Sequence, residues 1–307
     1  MSSSEAMVTL LIHFDDEQAA AARLAQASGI PAACIERHRF PDDELRLRLP
    51  LDAQGRLPEQ LVLYRSLDRP NDKLIELMLV SRQARELGAR HLTLVAPYLA
   101  YMRQDMAFHP GEVVSQKIVG RFLADLFDAV ITVDPHLHRI RTLDEAIPLP
   151  YAISLSGAPM LADLIARHHD KPLLIGPDAE SAQWVEAAAQ VHGFDHGVCT
   201  KQRHGDKAVE IALPAVDVKG RAVVLLDDVA SSGHTLAMAA GLLLEAGAAT
   251  VDVAVTHALF AGNALSLIRL AGVRHIWSTD CIAHESNAIE MAPVLAAAWR
   301  SINVTSI

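Results

Sequence analysis

Residues 222–235 read AVVLLDDVASSGHT, and no other stretch limits the possible folds so sharply. Residues 222–226 form a short unbroken apolar run, as expected of a strand buried on both faces of a parallel sheet. Asp227 and Asp228 follow at once. Val229, Ala230, Ser231, Ser232 and Gly233 come next, mostly small residues whose backbone N–H groups can turn toward a ligand. Residues 236–244 predict a helix, with Glu245 in its last turn and Gly247 just past its end. Strand, acid pair, small-residue loop and helix start together place an anion-binding nest beside two carboxylates. A phosphate needs converging N–H donors, a sugar diol needs fixed acceptors, and a sugar phosphate needs both. An acidic strand end followed by a Ser/Thr helix cap fits the same letters.

The rest of the chain alternates in the same style. Strands are expected at 7–12, 44–49, 61–64, 91–96, 129–133, 172–175, 222–226, 251–255 and 275–278. Helices are expected at 15–27, 71–87, 114–127, 159–168, 179–191, 236–246 and 263–270, with Asn71 or Asp72 capping the second. Such alternation predicts an α/β protein of mainly parallel sheets with right-handed crossovers. Ligands then sit beyond the carboxyl ends of strands, where Asp134, Asp178, Asp227, Asp228 and Asp280 fall. An internal echo points to two similar halves: Glu86-Leu87-Gly88-Ala89 leads into HLTLVA, and Glu245-Ala246-Gly247-Ala248 leads into TVDVAV. Any helix–Gly–strand junction has this look, so the echo supports the division only weakly. The expected domains are 1–149 and 150–307, joined near 148–151, with the last segment a candidate to pack back on the first domain.

Composition narrows the class. Hydrophobic residues make up 51% and charged residues 21%, so a packed core is expected. A net charge of −10 argues against general nucleic-acid binding. Cys34, Cys199 and Cys281 are scattered and form no CxxC pair, which fits a reducing compartment and gives no sign of a zinc site. No apolar run is long enough to span a bilayer, and the N-terminus has no basic segment of a signal peptide. The expectation is a soluble, cytoplasmic protein with neither membrane nor nucleic-acid partners. There is no GxxxxGK[ST] sequence, so any use of ATP would not rest on a P-loop.

Four stretches of the first half carry chemistry: FPDDE at 40–44, Asn71-Asp72, PYLAYMRQD at 97–105, and Thr132-Val133-Asp134-Pro135-His136. In this order they resemble the N-terminal half of the ribose-phosphate diphosphokinases, or PRPP synthetases, with F-x-D-G-E, N-D, P-Y-x-x-Y-x-R-Q-D and T-V-D-x-H. Residues 222–235 resemble the ribose-5-phosphate loop of the type I phosphoribosyltransferase fold. The resemblance runs from about 29 to 292, and Phe108-His109-Pro110-Gly111-Glu112 is similar to the archaeal members. It implies two similar phosphoribosyltransferase-like domains, each a mainly parallel sheet flanked by helices. The implied activity is Mg²⁺-dependent transfer of the ATP diphosphoryl group to O1 of ribose 5-phosphate.

The same resemblance implies site residues. Phe40, Asp42 and Glu44 would line the adenine pocket of a neighbouring subunit, which requires at least a dimer of this chain. Arg103, Gln104 and Asp105 would hold ATP, and His136 would meet its Mg²⁺-bound phosphates. Asp178 would open the diphosphate turn and hold metal. Asp227 and Asp228, with Ser231, Ser232, Gly233, His234 and Thr235, would bind ribose 5-phosphate. Lys201 and Arg203, in TKQRHG at 200–205, match a flexible catalytic loop that closes over the transferring group; an exposed hairpin tip fits the same residues. THALFAGNA at 256–264 resembles the family's T-H-x-x-F-x-x-x-A stretch and reads as support for the sugar-phosphate loop.

Departures from the family pattern are Glu180 and Ser181 where small residues are usual, Met106 in place of a basic residue, and Ser232 with His234 in the phosphate loop. A left-handed backbone at His234 would be strained by its Cβ. The alternatives are a non-catalytic regulatory relative and a base-transferring phosphoribosyltransferase.

Overall fold

The computed structural model describes residues 9–204 and 208–302; the side chains of residues 201–210 lie outside that description. Lys201 and Arg203 are therefore placed by backbone alone, and Met7, Val8, Gly205 and Asp206 lie outside the described residues. The chain forms two units, one of residues up to Leu155 together with those from Ala292, the other Ser156–Met291. The first unit thus runs beyond the expected 148–151 junction.

In the first unit the order is β1 (Thr9–His13), a 3-10 turn (Asp15–Glu17), α1 (Gln18–Ser28), β2 (Ala32–Cys34), β3 (Glu36–Arg39), β4 (Leu45–Arg48) and β5 (Gln60–Tyr64). It continues with α2 (Pro70–Glu86), β6 (His91–Val95), α3 (Ser115–Leu126), β7 (Ala129–Val133) and β8 (Tyr151–Leu155). Six strands form a parallel sheet in the order β2-β1-β5-β6-β7-β8, while β3 and β4 make a separate antiparallel hairpin. β5 and β7 are buried at every position, which is why they read as nearly continuous apolar runs, with Gln60 and Thr132 as buried polar exceptions.

The second unit holds α4 (Ala158–His168), β9 (Leu173–Gly176), a 3-10 turn (Ala179–Ser181), α5 (Ala182–His192), β10 (Asp195–Val198), β11 (Thr200–His204) and β12 (Ala208–Ala212). Then come β13 (Ala222–Ala230), α6 (His234–Glu245), β14 (Thr250–Ala258), α7 (Ala264–Leu270), β15 (Ile276–Thr279) and β16 (Asn287–Ile289). Its parallel sheet runs β10-β9-β13-β14-β15-β16, with β11 and β12 as the antiparallel hairpin. The two sheets match strand for strand, including the hairpin that each inserts before its third sheet strand.

Helices at the ends of the halves are exchanged. After β8 the chain enters the second unit, where α4 packs against α5; after β16 the last helix, α8 (Ala292–Ser301), packs in the first unit against α1. Small residues on α1 allow a close approach, and Arg300 Nη1 donates to the Ala27 carbonyl at 2.9 Å. α1 stops where Gly29 takes a left-handed φ of 72°.

Three expectations need correction. The cap of α2 is Arg69, with Pro70 as first helical residue, so Asn71 and Asp72 lie inside the first turn; proline has no N–H to lose there. β13 does not stop at Leu226 but runs through the acid pair, because β14 stays beside it with Asp227 opposite Val255 and Ala230 opposite Ala258. Carboxylates are poor strand residues, and pairing overrides that preference here. Residues 200–204 form a paired strand, with Lys201 opposite Ile211 and Arg203 opposite Val209. Among the described residues no helix is long and apolar enough to cross a membrane.

Candidate functional site

Asp227 and Asp228 stand near the carboxyl end of β13, in the middle of the second sheet. Asp228 is buried and Asp227 half-buried, and the Asp228 N–H donates to Asp227 Oδ1 at 3.0 Å. Asp178 enters from the loop after the adjacent strand, β9. Burial, reinforced by the charges of Asp228 and then Asp178, pushes the Asp227 carboxyl well above the usual carboxylate range. Carboxylates crowded in this way repel one another until a cation or a set of hydroxyl donors relieves them. The donor set therefore fits a hard divalent cation with oxygen ligands.

Behind the acids the chain turns through Ser231, Ser232 and Gly233 into α6. Gly233 has φ 75°, and a Cβ there would lie 3.1 Å from both the Cβ and carbonyl oxygen of Ala264. His234 is instead the first residue of α6 and is exposed, so the strain anticipated at His234 does not arise. The loop is braced from the neighbouring strand end: the Phe260 N–H donates to Ala230 O at 2.8 Å and the Ala261 N–H to Ser231 O at 2.9 Å. Phe260 has φ 36°. The first turn of α6 brings N–H groups that lack intrahelical partners, together with the positive end of the helix dipole. Thr235 lies in that turn.

The turn after β9 is tighter. Asp178 Oδ1 accepts the Glu180 N–H at 3.0 Å, and Ser181 Oγ donates to Asp178 O at 2.6 Å. Ser181 sits where a Cβ on Gly176 would come within 2.1 Å of its Oγ. Asp178 thus caps its own turn, and Glu180 is exposed at the rim.

In the first unit, residues 40–44 are the exposed tip of the β3–β4 hairpin. The Phe40 N–H donates to Glu44 O at 2.8 Å, and Asp43, standing where the family stretch has glycine, has φ 70°. His38 packs edge-on to the Phe40 ring at 4.8 Å. In the loop after β6, Arg103 is exposed and, among the described residues, takes no ion pair. Gln104 Nε2 donates to Met106 O at 2.9 Å. Asp105 is buried, paired with Arg139 at 2.5 Å, while its Oδ2 has no partner among the described residues. Tyr101, with φ 64°, donates its hydroxyl to Asn71 of α2. At the end of β7, Asp134 has φ 37° and the rings of His136 and His138 meet edge-on with centroids 4.0 Å apart. Backbone strain of this kind collects at functional sites.

A buried charge network in the first unit escaped the sequence reading. Arg65 is only 1% exposed and pairs with Asp16 at 2.7 Å, Glu17 at 3.1 Å and Glu76. Arg37 of β3 joins it, reaching Glu76 at 2.7 Å and Asp15 at 2.7 Å. Burial works against the charge of Asp16, but the hydrogen bond and charge of Arg65, with Arg37 and Lys73, outweigh it and hold its carboxyl below the ordinary range. Strand register makes Arg65 the counterpart of Asp227. Val62 lies opposite Thr93 and Val224 opposite Asp252, and Thr93 and Asp252 correspond when Gly88 is aligned on Gly247. Three residues on stand Arg65 and Asp227. The visible signal was an arginine directly after the apolar run LVLY and an acid run directly after LLIHF.

Comparison with known proteins covers both units. Residues 9–126 match the model of the N-terminal domain of ribose phosphate pyrophosphokinase, and residues 158–267 match the phosphoribosyl transferase domain. The ribose-phosphate pyrophosphokinase of Methanopyrus kandleri is 34% identical over 92% of this chain and 95% of its own length. That of Methanosarcina acetivorans is 32% identical over 93% and 97%. The crystal structure of the phosphoribosylpyrophosphate synthetase from Mycobacterium smegmatis superposes with a TM-score of 0.82, covering 97% of this chain and 99% of that one, at 22% identity.

Proposed function

The chain belongs to the ribose-phosphate pyrophosphokinase family, and we infer that it transfers the diphosphoryl group of ATP to O1 of ribose 5-phosphate. The O1 oxygen forms a bond to the β-phosphorus, and the bond from that phosphorus to the oxygen bridging it to the α-phosphorus breaks. AMP leaves with the bridging oxygen, and the O1 proton passes to solvent. The products are 5-phosphoribosyl 1-diphosphate and AMP. The observation that carries this reading is the crowded carboxylate group of Asp227, Asp228 and Asp178 directly in front of the Ser231–Gly233 turn and the start of α6.

The second unit holds the sugar phosphate. Asp227 and Asp228 accept hydrogen bonds from the ribose hydroxyls; Ser231, Ser232, Gly233, His234 and Thr235 surround the 5-phosphate at the helix start. The first unit holds the nucleotide. Phe40, Asp42 and Glu44 face the adenine of a neighbouring subunit, so the working form is a homo-oligomer of at least two copies. Arg103, which takes no ion pair among the described residues, supplies a cation for the ATP phosphates, and Gln104 and Asp105 shape its loop; the Arg139 pair on Asp105 favours that supporting part. Lys201 and Arg203 on β11 neutralise charge on the transferring group. Mg²⁺, held by Asp178 on the sugar side and by His136 beside the ATP phosphates, would neutralise phosphate charge and polarise the β-phosphorus. A soluble, cytoplasmic enzyme is the setting in which both substrates are supplied.

The test is sugar-dependent release of AMP. Protein, ATP and Mg²⁺ should release AMP only when ribose 5-phosphate is added, and Lys201→Ala should lower kcat by about a hundredfold while leaving KM near its original value. AMP release indifferent to the sugar would contradict the reading.

A further inference from the structure

The nucleotide turn of the first unit stands at the far end of a two-stranded hairpin that lies outside the main sheet. Its base is held by Ile35 and Leu49, both in the apolar core. Nearer the tip, two arginines of β3 reach back to the body of the unit. Arg39 pairs with Asp72 at 3.1 Å, but both side chains are largely in water, at 40% and 67% exposure; such pairs contribute little. Arg37 is different. It reaches Glu76, whose side chain is 1% exposed, and Asp15. Its guanidinium also lies 5.2 Å from the centroid of the buried Phe14 ring, against which Arg65 packs at 4.5 Å. A planar fork bridging two carboxylates fixes direction as well as distance. Glu76 belongs to α2, the helix whose Asn71 takes the Tyr101 hydroxyl from the loop bearing Arg103. One helix therefore ties together both stretches assigned to ATP.

We propose that Arg37 is a positioning residue for the nucleotide: clamped to Glu76 and Asp15, it sets where the 40–44 turn stands. This rests on the reading that Phe40, Asp42 and Glu44 meet ATP. Removing the Arg37 fork leaves Glu76 paired with Arg65, so no buried charge is orphaned and the unit stays folded. The hairpin tip then loses its buried anchor and samples more positions, and adenine binding weakens without any change to the chemistry.

The experiment compares steady-state kinetics of the wild-type enzyme with Arg37→Gln, Arg37→Lys and Phe40→Ala. Arg37→Gln should raise KM for Mg²⁺-ATP about tenfold, with kcat within about twofold and KM for ribose 5-phosphate unchanged. Arg37→Lys should recover part of the loss, because an ammonium reaches one carboxylate but not two in a fixed fork. A merely structural role would instead lower the amount of active enzyme, and hence kcat, without separating the two KM values. Unchanged KM for ATP in Arg37→Gln, with KM raised in Phe40→Ala, overturns the proposal and spares the reading of the turn. Unchanged KM in Phe40→Ala overturns the reading itself, and the proposal with it.

Discussion

At the scale of single residues, Asp227 separates stability from function. Its ionised form is disfavoured by burial and by the charges of Asp228 and Asp178, so at neutral pH the ligand-free protein carries it at a cost. Asp227→Asn should raise the melting temperature of the ligand-free protein, yet lower kcat/KM for ribose 5-phosphate by about a hundredfold. Melting without substrate, set beside AMP-release kinetics, reads both effects; a fall in both would mean that the carboxylate is there for packing. Gly233 makes the complementary case. Its φ of 75° strains any L side chain, and a Cβ would crowd Ala264 at 3.1 Å. Gly233→Ala should cost about 1–2 kcal/mol in chemical denaturation and raise KM for ribose 5-phosphate. The acid pair was legible in the sequence as carboxylates at a strand end and Gly233 as a small residue of the turn; that β13 continues through the acids was not, because pairing with β14 overrides their local preference. Nor was Arg65: an arginine after an apolar run looks solvated until the partners that bury it, Glu17 and Glu76, are brought in from other elements.

At the scale of elements, β14 carries a stabilising carboxylate. Asp252 is fully buried at its start. Burial opposes its charge, but hydrogen bonds from Arg274 and His169, the Arg274 charge and the His275 N–H outweigh it and hold the carboxyl below its ordinary range. A depressed carboxylate adds stability above its ordinary value, near 3.8, and that stability is lost as pH falls toward the lowered one. Asp252→Asn should therefore lower stability at neutral pH and flatten the acid limb of a denaturation-versus-pH curve. An unchanged acid limb would show that the network adds nothing. In the β3–β4 hairpin, Asp43 bears a left-handed φ of 70°. Asp43→Gly should raise stability by up to about 1 kcal/mol in thermal or urea unfolding, since glycine meets no Cβ penalty there. The long strands and amphipathic helices were visible as periodicity. The short edge strands β2, β10 and β16 were not, because their pairing comes from neighbours distant in sequence and not from local preference; of the hairpins, the alternation at 44–49 showed β4 but not its partner β3.

At the scale of the whole molecule, the duplication that the sequence hints at through Gly88 and Gly247 is plain in the matched strand orders of the two sheets. The last segment, already a candidate in the sequence to pack back on the first half, is α8, which lies in the first unit against α1. The two copies differ at a matched position that bears on the site: where the second unit has Asp227, the first has Arg65 closing its own acid turn. On the proposed assignment the second half holds the sugar phosphate, while in the first Arg65 shares Glu76 with Arg37 of the β3–β4 hairpin. The central claim is that the two phosphoryl groups move together, and position-labelled ATP tests it most directly. With label at the β- or the γ-phosphorus, ribose 5-phosphate and Mg²⁺ present, either label should appear in the sugar product and α-label only in AMP. Label reaching the sugar from the γ-position alone, with ADP as the other product, would contradict the account.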